Sequence, residues 1–314
     1  MALHLQSLGQ EFEVVVGVDG TPESHDFFCA AGVKHVEFFD DDDREKEDAF
    51  LNEWRPHVAL IDMLEIESSY VEVFSQINCR TVLYDDLLEN YSFGDVLVCP
   101  QILDKAPKER HKGSVCQGPD YFLVPQGVMK IANAPADTPV RANNFFVNLG
   151  GTLPRDNFDH LVKVLRLLPE NQFHVTVLSG YSHDFDIQEA WSEMPENVRL
   201  VPGTDKIEEV IASADIALSA SGLMKFELAA AGIPMVMVAV VEHQINVGKS
   251  FCELTGVGQF AGDFIGTDPS QIAQQIVALA NDQAVRKRMT KLGRELVDGK
   301  AEARFTAVLK SLVH

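Results

Sequence analysis

A single carboxylate, Glu227, falls one turn into a predicted helix whose mouth is built from small residues. The stretch Ala214–Gln244 reads ADIALSASGLMKFELAAAGIPMVMVAVVEHQ. It predicts a short apolar strand (Ile216–Leu218), a turn (Ser219, Ala220, Ser221, Gly222), a helix (Leu223–Ala231), a Gly-Ile-Pro break and a second buried strand (Met235–Val240). A strand that ends in small residues and opens a helix leaves backbone N–H groups without partners where the chain turns. Such groups suit a phosphate. A carboxylate beside a phosphate is electrostatically unfavourable unless it accepts hydrogen bonds from neutral hydroxyls. A ribose offers two hydroxyls side by side, and a carboxylate has two oxygens to receive them. The residues therefore point to a nucleotide held by phosphate at the turn and by ribose at Glu227. The same unit is also common scaffolding in α/β proteins, and a glutamate early in a helix is favoured by the macrodipole alone. Taken by itself the pattern leaves both readings open.

Other residues could join this chemistry. Gly150-Gly151-Thr152 follows a second predicted strand, where the glycines permit close backbone approach and Thr152 adds a hydroxyl donor. Taken alone it is equally a plain tight turn, but two phosphate-compatible turns at the carboxyl edge of one sheet reinforce each other. His243, beside Gln244 at a helix start, is the candidate general base near these turns; a surface or helix-capping histidine fits the position as well. Asp62 and Asp85-Asp86 end two strands in the N-terminal half, where open α/β sheets face their ligands. Capping of the next turn explains them equally. The run Asp40–Asp43 reads as a solvated loop rather than a cation site, because no calcium-loop spacing accompanies it.

The elements that must position these residues alternate between strand and helix. In the N-terminal half, strands are expected at Phe12–Val18, His35–Phe39, Val58–Ile61, Arg80–Tyr84, Asp95–Cys99 and Tyr121–Val124. A helix opens the chain at Ala2–Leu8, and others fall at Glu23–Ala30, Arg44–Asn52 and Ser68–Gln76. The C-terminal half restarts with strands at Asn144–Leu149, Phe173–Leu178 and Val198–Val201, before the central stretch. Helices are expected at Asp156–Leu168, Asp186–Glu193, Ile207–Ser213, Gln244–Leu254, Pro269–Asn281, Ala284–Val297 and Ala301–Leu312. Alternation of this kind implies crossovers and mostly parallel sheets. The Ala- and Pro-rich segment 131–143 reads as a linker between an N-terminal domain (1–130) and a C-terminal one (144–314), the last helix packing back on the first domain. A βαβ sheet normally opens on a strand, whereas this chain opens on a helix. Either this domain lacks its usual first strand or the sequence as given begins after it, and in both cases a gap or an exposed apolar strand edge is expected.

Composition narrows the partners. With 314 residues the chain is long enough for two domains with ample core. No apolar run approaches the ~20 residues of a membrane span, and no basic-then-apolar start resembles a signal peptide, so no membrane insertion and a cytoplasmic location are expected. A formal charge of −21 argues against nucleic acid and anionic membranes, but not against a small anion bound by backbone N–H groups. The five widely spaced cysteines include no C-x-x-C and read as reduced, structural thiols.

Together, the order strand–GGT–helix, then ADIALSASG-x-x-x-x-E-x-x-x-x-G-I-P, then Gln244 at a helix start, resembles the C-terminal domain of two-domain UDP-sugar enzymes with the GT-B fold. Within that group the chain resembles the UDP-sugar hydrolase family of pseudaminic acid biosynthesis and its spore-coat polysaccharide relatives. More distantly it is similar to the glycosyltransferase that makes the second lipid intermediate of peptidoglycan. In the N-terminal half Val58–Asp62, TVLYDDL (Thr81–Leu87), DVLVCPQ (Asp95–Gln101) and CQGPDYFLVP (Cys116–Pro125) follow the hydrolase family's order of blocks.

The resemblance implies an α/β chain of two Rossmann-like domains whose mostly parallel sheets face a cleft. It implies that Glu227 accepts from the ribose, that Gly150, Gly151 and the Ser219–Gly222 turn present N–H groups to the diphosphate, and that Gln244 lines the sugar or diphosphate side. The chain at Val201–Thr204 would edge the uracil through backbone groups. Four positions depart from the family: Leu223 and Met224 replace small hydroxyl residues, His243 replaces an asparagine, and Leu64 replaces the aromatic two residues after Asp62. The family's Gly-x-Gly-His loop has no counterpart here, and His4, on the helix that follows that loop, is not taken as its substitute. The expected function is metal- and cofactor-independent release of UDP from a UDP-sugar. Transfer to an acceptor, or non-catalytic binding of a nucleotide sugar, are the alternatives.

Overall fold

The computed structural model describes residues 1–19, 22–39, 44–63, 65–86, 91–102, 111–135, 138–169, 171–204 and 206–313. It divides into two compact units, one of Met1–Cys99, Pro107–Cys116 and Lys300–His314, the other of Pro100–Ala106 and Gln117–Gly299.

The first unit holds α1 (Ala2–Ser7), β1 (Val16–Asp19), α2 (Pro22–Ala30), β2 (Val36–Phe39), α3 (Arg44–Trp54), β3 (Val58–Ile61), α4 (Ser68–Gln76), β4 (Arg80–Tyr84), β5 (Val96–Cys99) and the start of β6 (Ser114–Gln117). Its strands form two sheets, not one: β1 pairs in parallel with β2, and a separate sheet has the order β3-β4-β5-β6. Among the described residues β1 and β3 have no ladder between them, which is the expected break, and Leu60 on the β3 edge is 36% exposed. The strand expected at Tyr121–Val124 is instead β6. Gly118 turns the chain at φ +111°, and Pro119, which has no N–H for a ladder, opens a 3-10 turn at Pro119–Tyr121.

The second unit runs α5 (Gln126–Asn133), β7 (Asn144–Asn148), α6 (Arg155–Arg166), β8 (His174–Leu178), α7 (Ile187–Ala190), β9 (Val198–Val201), α8 (Ile207–Ile211), β10 (Ile216–Ala220), α9 (Met224–Ala231), β11 (Met235–Ala239), α10 (His243–Thr255), β12 (Gly258–Asp263), α11 (Pro269–Asn281) and α12 (Gln283–Leu296). The final helix, α13 (Ala301–Val313), returns to the first unit and packs on β3. The six strands are parallel in the order β12-β11-β10-β7-β8-β9. Every residue of β10 and β11 is buried, as the near-continuous apolar runs require when helices cover both faces. One core, with Phe145, Val147, Ile216 and Leu218, lies under α6 and α11; the other, with Phe146 and Ala217, lies under α9 and α12.

Two local differences follow from packing. Segment 131–143 begins inside α5, and beyond it the carbonyls of Pro139 and Val140 accept from the buried guanidinium of Arg286. Strand β12 was not expected from GQFAGD, whose period is interrupted by Gly262 at φ +108°; it is held as an edge strand by β11. All five cysteines are free thiols, and Cys79, Cys99 and Cys252 are buried.

Candidate functional site

Strand order places the two glycine-bearing turns at the centre of the six-stranded sheet. β7 has β8 on one side and β10 on the other, so the chain reverses its direction of winding between β7 and β10. The helices that follow, α6 and α9, join different cores and so leave the sheet on opposite faces. Turns 149–154 and 221–223 therefore part around a crevice at the carboxyl edge, where open α/β sheets take their ligands.

The β7–α6 turn is braced from within. Asn148 Oδ1 accepts the N–H of Gly150 at 3.2 Å, and Gly150 sits at φ +112°, where only glycine is unstrained. Its N–H is thus taken by Asn148 rather than presented outward, contrary to expectation. Gly151 faces open space, since a Cβ there would meet nothing within 4 Å, and Thr152 beside it is exposed. The Gly151 carbonyl accepts from Tyr181 N–H at 2.7 Å, so the loops after β7 and β8 interlock. A Cβ on Gly180 would lie 2.5 Å from that carbonyl.

The β10–α9 turn starts later than the sequence implies. Ser219 and Ala220 are buried strand residues, because β7 and β11 continue the ladder past Leu218. Ser221 directs both its N–H and its Oγ to the Val238 carbonyl, each at 2.9 Å. These three residues therefore shape the turn without offering donors, and the free N–H groups begin at Gly222. Gln244 is brought beside it: a Cβ on Gly222 would lie 3.8 Å from Gln244 Nε2. Gln244 Oε1 accepts from Val240 N–H at 3.2 Å, which fixes the direction of the amide. His243 is exposed at the first residue of α10.

Glu227 lies on the first turn of α9, partly buried, and no described residue donates a hydrogen bond to its carboxylate. Burial, and after it the charge of Glu208 at the start of α8, pushes its carboxyl up to about 7. The Val201–Thr204 stretch has several backbone groups already engaged: Val201 O accepts from Ser179 N–H, Gly203 N–H donates to Gly180 O, and Thr204 O accepts from Tyr181 Oη.

Two residues of this edge were not singled out from the sequence. Lys225 is fully buried directly beneath the turn, and Gly248 on α10 lets that helix approach Ser221. The signal for Lys225 was available, since a lysine inside the apolar helix MKFELAAA has no solvated face to occupy.

In the first unit, Asp62 is raised by burial and then by Asp86, and Tyr84 is raised by burial and by both carboxylates. The carboxyl ends of β3 and β4 thus gather Asp62, Tyr84 and Asp86, while Asp85 is buried with its N–H donating to Val98 O. Among the described residues no group of three or more side chains is arranged to hold a metal ion. The run Asp40–Asp43 lies outside the described residues. No described helix is long and apolar enough to cross a membrane.

Comparison with known proteins extends this geometry. Residues 146–302 match the glycosyltransferase family 28 C-terminal domain. The spore coat polysaccharide biosynthesis protein SpsG of Bacillus subtilis (strain 168) is 22% identical over 250 residues, covering 77% of this chain and 69% of that protein. The crystal structure of Acinetobacter baumannii MurG superposes with a TM-score of 0.67 at 11% identity, covering 99% of this chain and 94% of that one. S. aureus MnaA, in its co-structure with UDP, gives a TM-score of 0.67 at 12% identity over 98% and 91%. At such identities the likeness is one of fold, and it shows the two-domain Rossmann-like architecture with mostly parallel sheets.

Proposed function

The chain belongs to the glycosyltransferase family 28 C-terminal domain family, and from that premise we propose that it is a UDP-sugar-processing enzyme of cell-surface polysaccharide or nonulosonic acid biosynthesis. In this reading water displaces UDP from the sugar: the anomeric C–O bond breaks, its electron pair leaves on the diphosphate, and the water oxygen bonds to the anomeric carbon. A base takes the water's proton.

The observation that carries the reading is Glu227, a partly buried carboxylate on the first turn of α9 that no described residue hydrogen-bonds. Burying a carboxylate without partners is costly, and two ribose hydroxyls would supply the missing donors. The N–H groups of Gly222, Leu223 and Gly151 would then receive the diphosphate, with Thr152 adding a hydroxyl. Their value is greatest in the transition state, when charge develops on the leaving oxygen. Gln244 Nε2, beside Gly222, would donate on the sugar or diphosphate side. His243, at the mouth of α10, would be the base. The role of SpsG in spore coat polysaccharide synthesis supports the pathway class.

A second reading, transfer of the sugar to an acceptor with the same donor site, is favoured by the family match itself. Incubation with a panel of UDP-sugars, in water and with candidate acceptors, separates the two. Equimolar UDP and free sugar in water support hydrolysis, and UDP release only with an acceptor supports transfer. Failure of the chain to bind any uridine diphosphate by calorimetry rejects both.

A further inference from the structure

Lys225 carries an inference that rests on the nucleotide reading and goes beyond it. Its Nζ donates to the carbonyls of Gly222 at 2.8 Å and Ser221 at 3.2 Å, and to Gln101 Oε1 at 2.8 Å. The ammonium lies 4.3 Å from the Phe226 ring centroid and 5.8 Å from that of Phe251, with no exposed surface. A trans peptide is planar, and its C=O and N–H point in opposite directions. The Ser221 carbonyl shares its peptide plane with the Gly222 N–H, and the Gly222 carbonyl shares its plane with the Leu223 N–H. Two carbonyls drawn inward to one buried ammonium therefore turn two successive N–H groups outward. Among the described residues neither N–H meets an acceptor.

We infer that Lys225 is a positioning residue for phosphate binding: it clamps the Ser221–Gly222 turn from below so that the Gly222 and Leu223 amides face a diphosphate, and its charge favours that anion through the turn. It does not touch the ligand. A lysine in this role acts on the phosphate part of a nucleotide and leaves the nucleoside part alone, whereas a lysine that merely fills the core affects both together.

The test compares Kd for UDP and for uridine in the wild-type chain, in Lys225→Met and in Leu223→Pro. Methionine keeps the length of the side chain without its donors. Proline at 223 suits the observed φ of −71° and removes one of the two outward N–H groups while leaving Lys225 in place. Each variant is expected to weaken UDP by at least about tenfold, the scale of a hydrogen bond to a charged group, with uridine changed by less than about twofold. Lys225→Arg, which keeps the charge, is expected to retain part of the preference for UDP. An unchanged UDP-to-uridine ratio in Lys225→Met, or in Leu223→Pro should the first variant fail to give a cooperative melt, overturns the clamp. A wild-type chain that binds neither compound overturns the nucleotide reading as well, and so identifies which of the two has failed.

Discussion

Ser221 and Gly248 are packed so closely that a methyl group at position 248 would sit 2.2 Å from the Ser221 hydroxyl oxygen. That contact sets how far α10 stands from the turn that opens α9, and so where Gln244 meets Gly222. The Phe260 ring closes the other side, 2.8 Å from the same point, and leaves no direction in which a side chain could yield cheaply.

Gly248→Ala is accordingly expected to destabilise the chain by about 1–3 kcal/mol, the usual cost of forcing a methyl into a filled core. At about 2–4 °C per kcal/mol for a domain of this size, a melting curve would show a loss of several degrees. Weaker UDP binding should accompany it, because Gln244 moves with the helix. An unchanged Tm would mean that α10 can shift freely, and Gly248 would then have no part in the site.

Removal of the carboxylate in Glu227→Ala should weaken UDP by about 2–3 kcal/mol, the scale of lost charge-assisted hydrogen bonds. The preference for UDP over its 2′-deoxy analogue should disappear in the same variant. Calorimetry showing equal UDP affinity in the two proteins would remove the ribose role.

Acidity gives a separate handle on that residue. In the free protein the Glu227 carboxyl titrates at about 7, raised by burial and by Glu208. Ribose hydroxyls donate to the ionised form and lower that value in the complex, so binding releases a proton. Affinity for a UDP-sugar, whose diphosphate has no group titrating near neutrality, should climb as pH rises towards about 7 and level off above it; in Glu227→Gln that rise should vanish. Stability runs the other way. Between the ordinary carboxylate range and about 7 the folded chain holds a proton the unfolded chain has released, so this group's contribution falls as pH rises through that window.

Divalent cations should be dispensable. If backbone amides of the turn that Lys225 clamps hold the diphosphate, EDTA leaves UDP binding intact; a large loss of affinity on chelation would point to a metal in their place.

His243→Ala should lower kcat by about a hundredfold or more, the lower end for a general base, while leaving KM nearly unchanged. Its side chain is exposed at the helix start, so a variant that misfolds is not expected. Equal kcat in the two proteins would move the base elsewhere.

The residue pattern determined what is local in this protein. The apolar runs of β10 and β11 must be buried on both faces, and Gly232 ends α9 in the left-handed region at φ +79°, so strand, helix and break follow from their own side chains. Glu227 and Gln244 could be singled out for the same reason, since each lies within a turn or two of the elements that hold it. Tertiary structure decided what depends on neighbours distant in the chain. Ser219 and Ala220 became strand because β7 and β11 flank them, Gly150 N–H was claimed by Asn148, and β12 formed because β11 supplied its partner. Lys225 shows the division most sharply. Its position in an apolar helix marks it as buried, but only the packed turn decides which carbonyls its ammonium draws in, because hydrogen-bond direction is a property of the assembled backbone.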